Sequence, residues 1–181
     1  MQLKTNVWVN KITSLSEARY CAGMGVQFLG FQPTIVDLKT YQDITGWVLG
    51  PAFFLDISEG DKVPANLGDY ASDYVLLRED QIPQLPSFID SKLLIKRVLT
   101  DQASAELPPD VEFILAESWA TEALQTNASN LIATVTNSHQ LASLLSLPLA
   151  GILLQGSTED KPGLMEYDHL SEVLEMLETE D

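Results

Sequence analysis

The sequence predicts an α/β protein of about eight strand–helix repeats, arranged either as a closed (β/α)8 barrel or as a doubly wound sheet. Three observations predict it. Short apolar runs alternate with amphipathic stretches from end to end. Most of those runs are apolar on both alternations, the pattern of strands covered on both faces. No linker or low-complexity segment interrupts the 181 residues, so residues 1–181 are expected to form one domain with a sizeable core.

Residues 6–10 (NVWVN) are the first strand. Ser14 stands three residues before Glu17 and offers a capped helix start, and Gly23 and Gly25 end that helix. A second strand over 28–32 is followed by a helix over 38–49. Residues 52–58, rich in aromatic and β-branched side chains, are the third strand. The remaining strands are placed at 74–77, 93–99, 112–117, 131–136 and 151–155, with helices at 119–126, 138–145 and 167–178. The connections after the third, fourth and fifth strands carry Pro64, Pro83, Pro86, Pro108 and Pro109, which predicts single turns or loops there. The acidic tail 175–181 reads as a fraying helix end.

Composition narrows the function classes. The net charge is −16, from 26 acidic and 10 scattered basic residues. Such a surface repels nucleic acid and anionic membranes and favours solubility. A phosphorylated ligand would need backbone amides or a local basic spot. No apolar run is long enough to span a bilayer. Polar residues from Lys4 to Asn6 and at Asn10 break any signal-peptide layout. The single Cys21 excludes an internal disulfide and fits a reducing cytoplasm. His139 and His169 read as surface residues, and no histidine or cysteine stands at metal-ligand spacing, so neither metal nor cofactor is expected.

The two ends of the chain carry a more specific signal. Near the N-terminus stand Val7-Trp8-Val9-Asn10-Lys11-Ile12-Thr13, Ser16-Glu17-Ala18, Ala22-Gly23-Met24-Gly25-Val26 and Leu29-Gly30-Phe31. Near the C-terminus stand Gly151-Ile152-Leu153-Leu154-Gln155-Gly156-Ser157 and Lys161-Pro162-Gly163-Leu164. These segments resemble the phosphoribosylanthranilate isomerase family of tryptophan biosynthesis, whose members read K-I-C-G-I-T, E-D-A, E-A-G-A-D and L-G-F at the start and S-S-G-V-E and P-G-x-K-D near the end. The resemblance implies a single-domain barrel. At 181 residues it would be a trimmed one, since (β/α)8 barrels usually need about 200 residues or more.

The resemblance also implies a chemistry, an Amadori rearrangement. A carboxylic acid opens the furanose ring, and a cysteine thiolate removes the C2 proton. Asn10 falls at the cysteine position, and a neutral amide cannot take a proton near neutral pH. Glu117, in Phe113-Ile114-Leu115-Ala116-Glu117-Ser118, falls at the position of the family's acid. Leu76-Leu77-Arg78-Glu79-Asp80 resembles Q-L-H-G-D-E without its histidine and glycine. Gln32-Pro33-Thr34-Ile35-Val36 lacks the arginine that holds the anthranilate carboxylate. Ser118-Trp119-Ala120-Thr121 and Ala133-Thr134-Val135-Thr136-Asn137 lack the glycines of the phosphate loops.

In a barrel the strand C-termini carry the chemistry. The candidate site residues are therefore Glu117 as acid, Asp56 as a substitute base, and Asn10, Lys11, Arg78, Lys96, Arg97, Gly156 and Ser157 facing a ligand. Asp56 could equally cap the loop that follows it. Lys96 and Arg97 are consecutive in an apolar strand, so one of them points inward and needs a partner. Lys96–Glu117 and Arg97–Glu79 are the pairs within reach. Trp8 shares a face with Asn10 and would plug the interior; Cys21 lies inside the first helix as a packing residue. Three readings follow. The chain is a divergent barrel that has lost the family reaction and binds a small phosphorylated metabolite or a partner; it is an active aldose–ketose isomerase on phosphoribosylanthranilate or a related phosphosugar; or it is an interaction protein with a filled pocket. The oligomeric state is left open.

Overall fold

The computed structural model describes residues 2–87, 89–99, 107–125, 128–156, 159–161, 164–165 and 168–179. Eight parallel strands close in sequence order: β1 (Val7–Asn10), β2 (Phe28–Phe31), β3 (Ala52–Asp56), β4 (Tyr74–Leu77), β5 (Lys92–Leu99), β6 (Val111–Trp119), β7 (Leu131–Thr134) and β8 (Gly151–Gln155). Closure is made where Val7, Trp8, Val9 and Asn10 pair with Ile152, Leu153, Leu154 and Gln155. That pairing leaves no edge strand and settles the barrel against the doubly wound sheet.

The helical layer is thin. α1 (Leu15–Gly23) and α2 (Leu38–Thr45) follow β1 and β2, and α3 (Thr121–Gln125), α4 (Leu141–Leu145) and α5 (Asp168–Leu177) follow β6, β7 and β8. After β3 and β4 stand only 3-10 turns, Leu67–Tyr70 and Glu79–Gln84, the latter around Pro83. A short antiparallel pair, β9 (Glu159–Lys161) and β10 (Leu164–Met165), precedes α5.

α1 starts where expected. The Glu17 amide donates to Ser14 Oγ, and the Glu17 carboxylate reaches back to the Thr13 amide at 3.0 Å. Gly25, at φ 82°, makes the left-handed turn that ends it. α2 is shorter than the expected 38–49. Asp37 caps its start by accepting from the Thr40 amide at 2.7 Å, and Gly46 closes it. Residues 47–49 then run as a loop into Gly50, at φ 112°, and Pro51. β6 runs to Trp119, past the expected end at 117, because its partner β5 is equally long and pairs Leu99 with Trp119. The tail is not frayed through residue 179: Leu3 bridges Glu178, and the Lys4 and Thr179 amides bond to Leu177 and Gln2 carbonyls.

Two apolar layers result. Outward-facing strand residues such as Val9, Leu29, Leu55, Ile95, Ala133 and Leu154 pack under the helices with Ala18, Cys21, Tyr41, Ile44 and Leu174. The barrel interior holds Trp8, Phe54, Leu76, Leu94, Leu115, Ile132 and Leu153, one from each strand except β2. There Gly30 supplies the space: a Cβ on it would collide with the Phe54 ring and stand 2.7 Å from Asn10 Oδ1. Trp8 fills the axis, stacked on Phe28 at 3.7 Å, with Tyr74 and Phe113 edge-on.

Candidate functional site

The polar residues of the mouth sit one step above that interior layer. Strand side chains repeat every two residues on one face. Trp8, Gly30, Phe54, Leu94 and Leu115 therefore lead to Asn10, Gln32, Asp56, Lys96 and Glu117 at the C-terminal ends of the strands.

The centre of this layer is Asp56, which is 4% exposed. Its Oδ2 accepts from Asn10 Nδ2 at 2.7 Å and from Gln32 Nε2 at 3.2 Å. Its Oδ1 accepts from the Ser58 amide at 3.0 Å and from Ser58 Oγ at 2.6 Å. A carboxylate offers about four lone-pair positions, so this one is saturated. Asn10 is equally committed: it is 2% exposed, and its Oδ1 accepts from the Lys11 amide at 2.8 Å. Lys11 itself adopts φ 63°, a left-handed conformation costing about 1 kcal/mol for a non-glycine residue. The turn is held because the Ile12 amide reaches the Gly30 carbonyl at 2.9 Å.

Around this floor runs a ring of paired charges. Lys11 Nζ stands 3.1 Å from Glu59, Lys96 Nζ 2.8 Å from Glu117, and Arg97 2.8 Å from Glu79. Partial burial pushes the Glu59 carboxyl up. Hydrogen bonds from Lys11 and Gln32, with the charges of Lys11 and Lys96, outweigh it and hold the group below the usual carboxylate range. Glu117 is half exposed and lies at an irregularity where β5 pairs Arg97 with Ala116 and then Val98 with Ser118. Arg78 is spent on its own loops. It donates to the Ser58 and Gly60 carbonyls at 2.7 and 2.9 Å and to Asp80 at 3.0 and 3.2 Å. Trp119 donates from its indole to the Thr134 carbonyl at 3.1 Å and packs against the outer layer.

Gly156 closes the ring beside β1. Its amide donates to the Asn10 carbonyl at 2.6 Å, and a Cβ there would stand 2.7 Å from Glu17 Oε1. Its amide is thus engaged within the chain. Ser157 lies outside the described residues, as does the Pro162-Gly163 pair.

The structure thus brings Asn10, Asp56, Lys11, Lys96 and Glu117 to one end of the barrel, with Arg78 and Arg97 on its β4–β5 rim. Sequence reasoning missed the site's Gln32 as a partner of Asp56, and Ser58 and Glu59 altogether. Extending the period of two by one residue beyond β2 would have found Gln32; Ser58 and Glu59 sit on a loop with no such periodicity. Among the described residues, no group of three or more His, Cys, Asp and Glu side chains could hold a metal ion. A cleft of about 550 Å³ lies at the opposite end, lined by Leu67, Ala71, Asp73, Tyr74, Asp90 and Lys92 among others. Barrel chemistry is built at the C-terminal ends of strands, so the polar mouth, not this cleft, is the candidate site.

Fold and layered interior define the chain as a (β/α)8 barrel. No family model and no curated protein matches it. Solved structures do, among them phosphoribosylanthranilate isomerases and, at lower TM-scores of 0.57 and 0.54, a citrate synthase variant and an aldolase. The isomerase from Thermus thermophilus is 14% identical with a TM-score of 0.76, over 96% of this chain and 98% of that one. The enzyme from Pyrococcus furiosus is 13% identical with a TM-score of 0.70, over 94% and 97%. TrpF from Jonesia denitrificans is 12% identical with a TM-score of 0.68, over 94% and 95%. Likeness at these identities establishes the shared barrel, and nothing of the reaction.

Proposed function

We propose that this chain is a divergent phosphoribosylanthranilate isomerase-like barrel that has lost the family's Amadori rearrangement and acts by binding a protein partner or a small metabolite. The observation that carries the reading is the Asn10–Asp56 bond. The position that resembles the family's cysteine base holds an amide, and the nearest carboxylate accepts four hydrogen bonds and is buried. A general base needs a lone pair within reach of the substrate proton, and Asp56 has none free. The mouth cations are each set against a carboxylate, and the Gly156 amide is engaged, so a phosphate would have to displace existing partners.

The test is the loss of phosphoribosylanthranilate fluorescence, run with the unmodified chain and with Asn10→Cys, beside complementation of a tryptophan auxotroph that lacks the isomerase. The expected result is no turnover by the unmodified chain and no complementation. Losing a positioned base alone costs about 10²–10⁴-fold. Turnover at a rate usual for the family, lost on Glu117→Gln, would replace this reading with the active-isomerase one.

A further inference from the structure

The connections after β3 and β4 carry 3-10 turns where α-helices stand after β1 and β2. Beside the first of those turns, at the N-terminal ends of β3, β4 and β5, opens the cleft of about 550 Å³. Small-molecule sites usually measure about 300–1,000 Å³, so the cleft has room for a ligand. Leu67 and Ile89 give it apolar sides. Ser72 and Ser91 line it with hydroxyls, and Asp73 and Asp90 with carboxylates.

The backbone fixes this lining. The Asp73 amide donates to the Phe53 carbonyl at 2.9 Å, and the Lys92 amide donates to the Asp73 carbonyl at 2.9 Å. Asp73 Oδ2 accepts from the Phe53 amide at 2.8 Å, which ties the side chain to β3. Ser91 Oγ donates to the Ser72 carbonyl at 2.6 Å and joins the entries of β4 and β5. The backbones of Asp73 and Asp90 therefore lie one to two strand spacings apart, about 5–10 Å.

Charge selects the ligand. Asp73 and Asp90 are exposed, and neither is in an ion pair among the described residues. Lys92, the cation in the lining, is held by Glu112 at 2.9 Å and lies 5.5 Å over the Tyr74 ring. Both aspartates are thus left without a counter-charge. They and the net charge of −16 repel an anion. A bare divalent ion needs several oxygen ligands, and among the described residues no group of three or more His, Cys, Asp and Glu side chains could supply them. A cation that brings its own N–H donors and an apolar stem matches both the carboxylates and the apolar sides. We propose that this cleft binds a short aliphatic diamine, with one ammonium on Asp73, the other on Asp90, and the methylene stem against Leu67 and Ile89. Barrel chemistry is built at the opposite end, so the diamine is held here and not transformed, and its site is separate from the mouth.

The experiment is isothermal titration calorimetry of the full chain with putrescine, at low and at high salt. The expected result is one putrescine bound per chain, with an affinity that falls as salt screens the ion pairs. Asp73→Asn and Asp90→Asn should each weaken binding about fivefold, the effect of losing one solvent-accessible ion pair. Asp61→Asn removes the same single charge from an exposed position in the loop after β3, at the other end of the barrel, and should leave binding unchanged. Butylamine, with one ammonium, should also bind about fivefold more weakly than putrescine, and magnesium ion should not compete. Asp90 has no hydrogen-bond partner among the described residues, so its variant carries the test where loss of the Asp73 charge disturbs β3; circular dichroism checks that both are folded. No binding at millimolar putrescine, an affinity that Asp90→Asn leaves unchanged, or equal binding of butylamine overturns the proposal. So does an equal loss on Asp61→Asn, or displacement by magnesium ion, either of which reduces the binding to a general attraction of cations to an acidic chain.

Discussion

Asn10 Nδ2 and Asp56 Oδ2 are 2.7 Å apart at the floor of the mouth, both shielded from water. The amide on β1 serves the carboxylate on β3, and Gly30 on the intervening β2 leaves the gap through which they meet. Asn10→Asp would set two carboxylates in that space. Like charges at this distance cannot both ionise, so one pKa must rise. We expect a loss of about 3 kcal/mol at neutral pH, within the range for a buried charge whose partner is removed. The sign is testable. The group whose folded pKa is raised contributes most below its unfolded value and loses that contribution as pH rises, so the variant should recover stability on acidification. Urea unfolding at pH 7 and pH 5 measures it; equal losses at both would refute the shared-proton account.

Gly30→Ala should cost about 1–3 kcal/mol, because its Cβ would meet the Phe54 ring and Asn10 Oδ1. Phe54→Leu alone removes buried aromatic contacts with Trp8 and should also destabilise. Combined, the two should cost less than their sum, since the smaller side chain yields the space the alanine needs. Additive losses in a double-mutant cycle would show that the collision is relieved some other way.

How much of this was legible in the sequence depends on the range of the interaction. β4 and β8 match their expected limits, because fully buried parallel strands write themselves as continuous apolar runs. The inward set of Trp8, Asn10, Asp56 and Lys96 follows from a period of two. Trp119 was misplaced in a helix, because nothing local distinguishes it from a helix start; the length of β5 decides it. The tail was misplaced for the same reason, since Glu178 pairs with Leu3 across nearly the whole chain. The saturation of Asp56 was hidden because it combines β1, the end of β2 and a loop after β3.

Cys21 should be inert in the folded chain. Burial, with a smaller push from the Glu17 carboxylate, raises its thiol to about 12. A thiol reagent at mildly alkaline pH should react only at the rate of unfolding. A raised folded pKa stabilises below the unfolded value and is lost as pH climbs, so stability should fall between about 9 and about 12. The slope is about 1.4 kcal/mol per pH unit for one proton, and Cys21→Ala should flatten it. Rapid labelling under native conditions would contradict the packing of α1 on the barrel.

The last prediction concerns Tyr41, on α2. Its ring packs against Phe31, Phe53 and Tyr70, while its buried hydroxyl finds no hydrogen-bond partner among the described residues. Burial, reinforced by the Asp73 carboxylate, pushes that hydroxyl's pKa up, as expected of a group taken out of water. An unsatisfied buried hydroxyl costs about 1–3 kcal/mol, and removing it leaves the apolar contacts in place. Tyr41→Phe should therefore stabilise the chain, by about 1 kcal/mol allowing for the small void left behind. Tyr41→Leu should instead destabilise it, because the edge-on ring contacts with Phe31 and Phe53 are lost. Thermal unfolding of the two variants separates the terms. If Tyr41→Phe is destabilising, the hydroxyl has a partner, a bound water or a main-chain group, and α2 sits differently on β2 and β3 than described.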